Sequence, residues 1–194
     1  PLKMATELLA GIPSVVYGFF GLVVLVPWIR NIAKSLQHAG IIRQSGNGNS
    51  ILTASLLLGM MILPTIIGVT ESAIRAVLPQ YYEGSLALGA THERSIFRTV
   101  LPAAKSGILA GVVLGIGRAI GETMAVIMVA GNQPRLTGSI FKGVRTLTAN
   151  IVIEMGYAAD LHREALIATG VVLFVFILII NAAVAILKRR ADHE

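Results

Sequence analysis

The sequence predicts an all-α polytopic membrane helix bundle, and three observations carry that prediction. Hydrophobic residues make up 55% of the 194 and charged residues only 13%, where a soluble domain carries about a quarter charged. The mean hydropathy is +0.77, which leaves too few polar side chains to cover a water-facing surface. The apolar residues are also gathered into four runs, each close to the roughly 20 helical residues that cross a bilayer core about 30 Å thick. The same composition excludes a disordered chain and argues against a soluble enzyme. The net charge is +6, but the basic residues are scattered between apolar runs without a stripe or interleaved aromatics. Nucleic acid is therefore not an expected partner. The sequence has no cysteine, which excludes disulfides, Fe–S clusters and thiolate zinc sites.

The predicted spans are 8–29, 51–69, 106–130 and 165–187. The first is free of charge over 22 residues. The second follows the turn Ser45-Gly46-Asn47-Gly48-Asn49-Ser50, and the last closes on Lys188-Arg189-Arg190. The third holds Arg118 and Glu122 at its centre. Residues 1–194 read as one transmembrane domain. Pro1 stands where an initiator Met would, and no signal peptide precedes the first run, so the expectation is the C-terminal part of a longer chain. Segments 30–50 and 131–164 read as loops containing Gly, Asn and Ser. Segment 71–105 is the most charged, with Glu71, Arg75, Glu83, His92, Glu93, Arg94, Arg98 and Lys105, and it keeps helical periodicity.

If the spans alternate, the N-terminal end, 71–105 and the C-terminal tail share one side of the membrane. That side holds eight basic residues: Lys3, Arg75, Arg94, Arg98, Lys105, Lys188, Arg189 and Arg190. The other holds seven: Arg30, Lys34, Arg43, Arg135, Lys142, Arg145 and Arg163. Eight against seven is too even for the positive-inside rule to orient the chain. The Lys-Arg-Arg cluster directly after the last span places 71–105 and the C-terminus in the cytoplasm.

The sharpest feature is Gly115-Ile116-Gly117-Arg118-Ala119-Ile120-Gly121-Glu122-Thr123. An arginine at mid-bilayer costs about 2.5–3.5 kcal/mol on insertion scales. Arg118 and Glu122 stand at i and i+4, so one continuous helix would put them on one face, where each partly neutralises the other. A cation lining an anion path and a structural ion pair between helices both fit that spacing. Gly107, Gly111, Gly115, Ala119 and Thr123 recur every four residues, and Gly117, Gly121 and Ala125 make a second row. Such small-residue rows let helix backbones approach closely.

Other chemistry is scarce. The chain contains no G-x-x-x-x-G-K-[ST], and Gly121 falls one residue late for G-x-G-x-x-G, so nucleotide binding is not expected. His38, His92, His162 and His193 are far apart and show no metal-ligand spacing; each reads as a solvated loop or tail residue. There is no G-x-S-x-G elbow and no recognisable acid–base set.

Within 71–105, a short helix is expected from near Pro79 to Gly89, and a second from His92 to Val100, ended by Leu101-Pro102. Such a pair, polar outside and apolar inside, suits a rigid lever docked on a partner, or an amphipathic loop on the lipid surface. These residues resemble the cytoplasmic loop of ABC importer permeases, E-A-A-x3-G-x9-I-x-L-P. Glu83 matches its Glu, Gly84 and Ser85 stand for the two Ala, Gly89 matches the Gly, and Leu101 and Pro102 match the closing pair. Thr99 stands where Ile is usual. Glu7-Leu8-Leu9-Ala10-Gly11-Ile12-Pro13, the stretch Gly117 to Val126, and Leu147-Thr148-Ala149-Asn150 are similar to the PstC-type permeases of phosphate importers. The PstA-type sister subunit has a related stretch.

The resemblance implies the six-helix MetI-like permease fold, with this chain running from its third helix onward, in a bacterial inner membrane. It implies no catalysis and no cofactor in this chain, since ATP and Mg belong to a PstB-type ATPase dimer below. A second, PstA-type permease and a periplasmic PstS-type phosphate-binding protein are the other implied partners. Arg118, Glu122 and Thr123 would line the phosphate path, with Glu122 competing for Arg118 so that the anion is not trapped. Glu83, Gly84, Ser85, Gly89, Leu101 and Pro102 would couple to the ATPase, and Gly107, Gly111 and Gly115 would pack helices. A permease for sulfate, molybdate or phosphonate, or a membrane scaffold for phosphate signalling, are the alternatives.

Overall fold

The computed structural model describes residue 6 and residues 8–42 and 46–192. Lys3, Glu7, Arg43, Ser45 and His193 lie outside the described residues. Those described form helices, joined by turns and one isolated bridge between Gly131 and Val144.

The first long helix, α1 (Ser14–His38), starts later than the expected 8–29 and ends later. Pro13 has extended backbone (φ −59°, ψ 144°) and stands directly before it; proline cannot donate to a preceding turn and biases its predecessor away from helix. The segment before the break is tied back by the Tyr17 hydroxyl, which donates to Leu9 O at 2.8 Å. Helix α2 (Ile51–Arg75) carries on past the expected end at 69. Ser50 caps it, its Oγ accepting from Thr53 N–H at 3.2 Å, while the buried Thr53 hydroxyl donates to Gly48 O at 2.5 Å.

Two short helices follow, α3 (Pro79–Ala87) and α4 (His92–Ala103). The second does not end at Leu101-Pro102 as expected. It runs through them to Ala103 and then bends by 67° into α5 (Lys105–Gly121), with Ala104 at φ −88°, ψ 0° as the hinge. After Gly121 the chain breaks, and α6 (Met124–Val129) resumes. Inside the expected loop 131–164 lies a further helix, α7 (Leu147–Met155), capped by the Thr146 hydroxyl. The last, α8 (Asp160–Asp192), extends beyond 165–187 at both ends. Among the described residues three helices are long and apolar enough to cross a bilayer, and a fourth is reached only if the bent pair α4–α5 is counted as one span.

Two helices contain a widened π turn, Gly21–Leu25 in α1 and Ile96–Val100 in α4. Each is followed at once by a proline near the start of the next helical piece, Pro27 and Pro102. A proline inside a helix leaves one carbonyl without its donor and crowds it with the ring. Widening the preceding turn relieves that crowding, so the chain continues where proline would otherwise stop it.

The core gathers Tyr17, Leu25 and Val26 of α1, Ala54, Leu57 and Met61 of α2, and Ala125, Val126 and Val129 of α6. Helix α5 packs along α2 through its glycines. A Cβ at Gly107 would collide with the Ala73 methyl, at Gly111 it would lie 3.1 Å from Thr70 Oγ1, and at Gly115 2.6 Å from Ile66 Cγ1. The second row is different: among the described residues nothing beyond the helix's own backbone comes within 4 Å of a Cβ placed at Gly117 or Gly121. Helix α8 keeps Val171, Val172, Phe174 and Ile179 exposed, as a helix facing lipid or further helices would.

Candidate functional site

The break between α5 and α6 falls on the charged motif. Arg118 is in the last turn of α5, where the carbonyl end of the helix favours a cation. Glu122 has left the helix, with φ −69° and ψ 130°. The expected shared helical face is therefore absent, and among the described residues no carboxylate pairs with Arg118. The reason is visible in the Glu122 side chain. Its Oε1 accepts from the N–H groups of Thr123 and Ala125, both at 3.1 Å. These are donors that the first turn of α6 leaves unpaired, and a carboxylate satisfies them better than Arg118 could satisfy the carboxylate across a broken turn. Glu122 is thus a helix cap here and not the counter-ion of Arg118.

Around this cap the backbone is held from two sides. The Thr123 hydroxyl donates to Gly121 O and the Thr148 hydroxyl to Glu122 O, both at 3.3 Å. Thr148 belongs to the Leu147–Asn150 motif, so α7 clamps the break. Arg118 itself is exposed, between the open positions of Gly117 and Gly121. The result is a guanidinium on an apolar helix, without a carboxylate partner among the described residues, flanked by two glycines whose backbone no side chain shields. Its planar fork can grip a carboxylate or a tetrahedral oxyanion through two donors.

The residues of the expected loop motif, from Glu83 to Pro102, lie at the other end of α5. Gly89, at φ +85°, closes α3, and Thr91 caps α4 by accepting from Arg94 N–H at 3.4 Å. Tyr82 OH and His92 Nδ1 lie 2.5 Å apart, with their rings edge to face, so His92, exposed as expected, also ties the two helices together. Ser85 and Thr99, two departures from the family pattern, meet each other: Thr99 Oγ1 donates to Ser85 Oγ at 3.4 Å. Glu83 and Gly84 lie on the same short helix, of which no residue is buried. The expected apolar-in half of the arrangement does not form within this chain: Leu78, Tyr81, Leu88 and Phe97 are exposed, as are Glu83, Glu93, Arg94 and Arg98. Nine residues are too few for α3 to bury one stripe and solvate the other.

One network was not legible in the sequence. Arg145 donates from Nε to Asn132 O at 3.1 Å, and from Nη1 to Asn150 Oδ1 at 3.3 Å and Glu154 Oε1 at 2.6 Å. His162 Nε2 approaches Glu154 Oε2 at 3.6 Å. The Glu154 carboxyl is held below its ordinary range, first by the Tyr157 hydroxyl and then by Arg145, against the opposing effect of burial. The same contact pushes the Tyr157 phenol up. A carboxylate with a lowered pKa contributes its full stability above its unfolded value, about 4.3, and loses it only as pH falls through the lowered one. Wild type should therefore melt above Glu154→Gln by a constant margin from pH 7 to 5, and the margin should vanish only below about pH 4. A margin that already shrinks between pH 7 and 5 would overturn the assignment to the Glu154 carboxylate.

The family model described as "Binding-protein-dependent transport system inner membrane component" matches residues 1–193. The chain belongs to this family. It is 37% identical over 202 residues to the phosphate transport system permease protein PstC of Mesorhizobium japonicum, covering 99% of this chain and 62% of that protein. It is 42% identical to the probable ABC transporter permease protein YqgH of Bacillus subtilis, covering 93% of this chain and 57% of the relative. To PstC of Haemophilus influenzae it is 34% identical, over 97% of this chain and 62% of the relative. The chain thus spans about three fifths of the length of the curated relatives it matches. No solved structure matches it. Membership accounts for the multi-pass apolar helices, as an inner membrane component of a transport system requires.

Proposed function

We propose that this permease chain lines the route of inorganic phosphate through an ATP-driven importer. Arg118 would be the anion's contact, and α3–α4 the lever driven by a cytoplasmic ATPase dimer. The observation that carries the reading is the Arg118 guanidinium on an apolar span, without a carboxylate partner among the described residues, beside Gly117 and Gly121, which none of the described residues covers. Phosphate cannot cross hydrocarbon unpaired, and a charge kept in a span without a partner marks a substrate path. The open glycine row is where a second permease would close the path from the other side. Similarity to PstC proteins over nearly the whole chain supports phosphate over other oxyanions.

In this reading α3, α4 and the C-terminus face the cytoplasm, and 30–50 with 131–146 face outward to receive a phosphate-binding protein. The exposed Leu78, Tyr81, Leu88 and Phe97 would seat in the ATPase. The force reaches Arg118 along α5, on which it lies about 20 Å from Lys105 at 1.5 Å per residue. The experiment is uptake of labelled phosphate, with sulfate as competitor, by the full-length parent reconstituted with ATPase, second permease and binding protein. Uptake of sulfate in preference to phosphate would discard the substrate assignment.

The lever has its own test. Gly89 is at φ +85°, where a β-branched residue costs roughly 1–2 kcal/mol. Gly89→Val should tilt α3 against α4, leaving ATP hydrolysis running while phosphate carried per ATP falls several-fold. Gly89→Asn, which tolerates that backbone, should recover most of the coupling. A change in which anion is carried would reject α3–α4 as the lever.

A further inference from the structure

The end of the bundle remote from α3 and α4 holds a group of cations that the path at Arg118 does not use. Helix α2 has 25 residues, so Ile51 lies about 36 Å from Arg75. Three chain segments are knotted around Ile51. Ser50 N–H donates to Val129 O and Ile51 N–H to Lys142 O, both at 3.1 Å; Val144 N–H donates to Ala130 O at 3.0 Å. Only glycine permits this approach, since a Cβ at Gly143 would stand 2.8 Å from Ala130 O and one at Gly46 would overlap Phe141 O. The knot shapes a cavity of about 260 Å³, whose long polar side chains are Asn47, Asn49, Gln133, Arg135 and Lys142.

The charge there is one-sided. Neither 30–50 nor 131–153 contains an Asp or Glu, and no described carboxylate pairs with Arg135 or Lys142. Arg135 Nε has only a long contact, 3.4 Å, to Gly143 O, which leaves the rest of its fork open to the cavity. Arg30 adds a third cation nearby, its Nε donating to Asn47 O at 2.8 Å. Cations without counter-charge in a recess raise the local concentration of anions. The amides of Asn47, Asn49 and Gln133 supply neutral donors that hold an oxyanion without trapping it.

We infer that this cavity is an outer holding site for a tetrahedral oxyanion, which Arg135 and Lys142 grip before it moves inward. The inference rests on the import reading. From the cavity at Gly131 the chain runs through the six residues of α6 to Glu122 and then Arg118, so α6 alone separates the cavity from the break that carries Arg118.

The absence of cysteine in this chain allows a direct test. In the full-length parent, freed of any other cysteine and assembled with its partners, Gln133→Cys is treated with N-ethylmaleimide with and without millimolar phosphate. Phosphate should slow the reaction several-fold, and Arg135→Gln with Lys142→Gln should abolish that protection. Leu136→Cys, fully exposed, should react at one rate throughout. Absence of protection, or protection that survives the double variant, overturns the inference. In transport, the double variant should keep its ATPase response to binding-protein concentration while phosphate carried per ATP falls several-fold. If it instead requires more binding protein for half-stimulation, the cations dock that protein and the inference fails. The import reading fails separately, by phosphate uptake that is absent in wild type or normal in Arg118→Gln.

Discussion

Arg118→Gln, in the full-length parent reconstituted with its partners, is expected to lose phosphate uptake at least about a hundredfold while the complex still assembles. The magnitude follows from what glutamine cannot do. A hydrogen bond to a charged group is worth about 1.5–3 kcal/mol, and losing a bidentate pair removes about 3 kcal/mol or more, at about 1.4 kcal/mol per decade of rate. Assembly should survive because Arg118 is exposed and bonds no carboxylate among the described residues. Removing it leaves no buried charge unpaired. Glu122 should behave differently. Glu122→Gln keeps an oxygen to accept from Thr123 and Ala125 and should hold the break between α5 and α6, whereas Glu122→Ala should fray α6 and cost about 1 kcal/mol of stability. Size-exclusion profiles and uptake rates of the three variants separate the roles. Full uptake by an assembled Arg118→Gln would return Arg118 to a structural part.

Gly107→Val carries the second large effect, this time on folding. Its new Cβ would meet the Ala73 methyl, which is fixed to the α2 backbone and has no rotamer to yield. Helices α2 and α5 must therefore move apart, which costs about 1–3 kcal/mol in a packed interior and shifts the hinge at Ala104. Gly115 faces the side chain of Ile66 at 2.6 Å, which can rotate, so Gly115→Ala should cost less than about 1 kcal/mol. At Gly117 nothing lies within 4 Å. Gly117→Ala in the isolated chain should be neutral or stabilising by up to about 1 kcal/mol, the helix-propensity difference. Denaturation of the chain in detergent orders the three. Equal losses at Gly107 and Gly117 would overturn the assignment of only one glycine row to α2.

How far the sequence could be read depended on which forces were local. Apolar run length announced the spans, the turn at Ser45–Ser50 announced the start of α2, and spacing announced the helix pair around Gly89. The boundaries were less legible. Pro13 moved the start of α1, and Pro102 failed to stop α4 because a π turn ahead of it absorbed the strain. Helix α7 hid inside a loop because nine residues are too few for a strong periodic signal.

By itself, then, the sequence determined an all-α membrane protein with its cation at mid-span, because hydropathy and run length act on each segment alone. The tertiary structure alone decided what that cation faces. The i, i+4 spacing of Arg118 and Glu122 predicts a pair only while the helix continues. The helix ends at Gly121, since Glu122 gains more from capping α6 while Thr148 of the distant α7 holds its carbonyl. Which glycine row meets α2 and which stays open is likewise set by how α5 lies against α2. Both outcomes depend on contacts between residues far apart in the chain, and spacing within one helix carries no information about those.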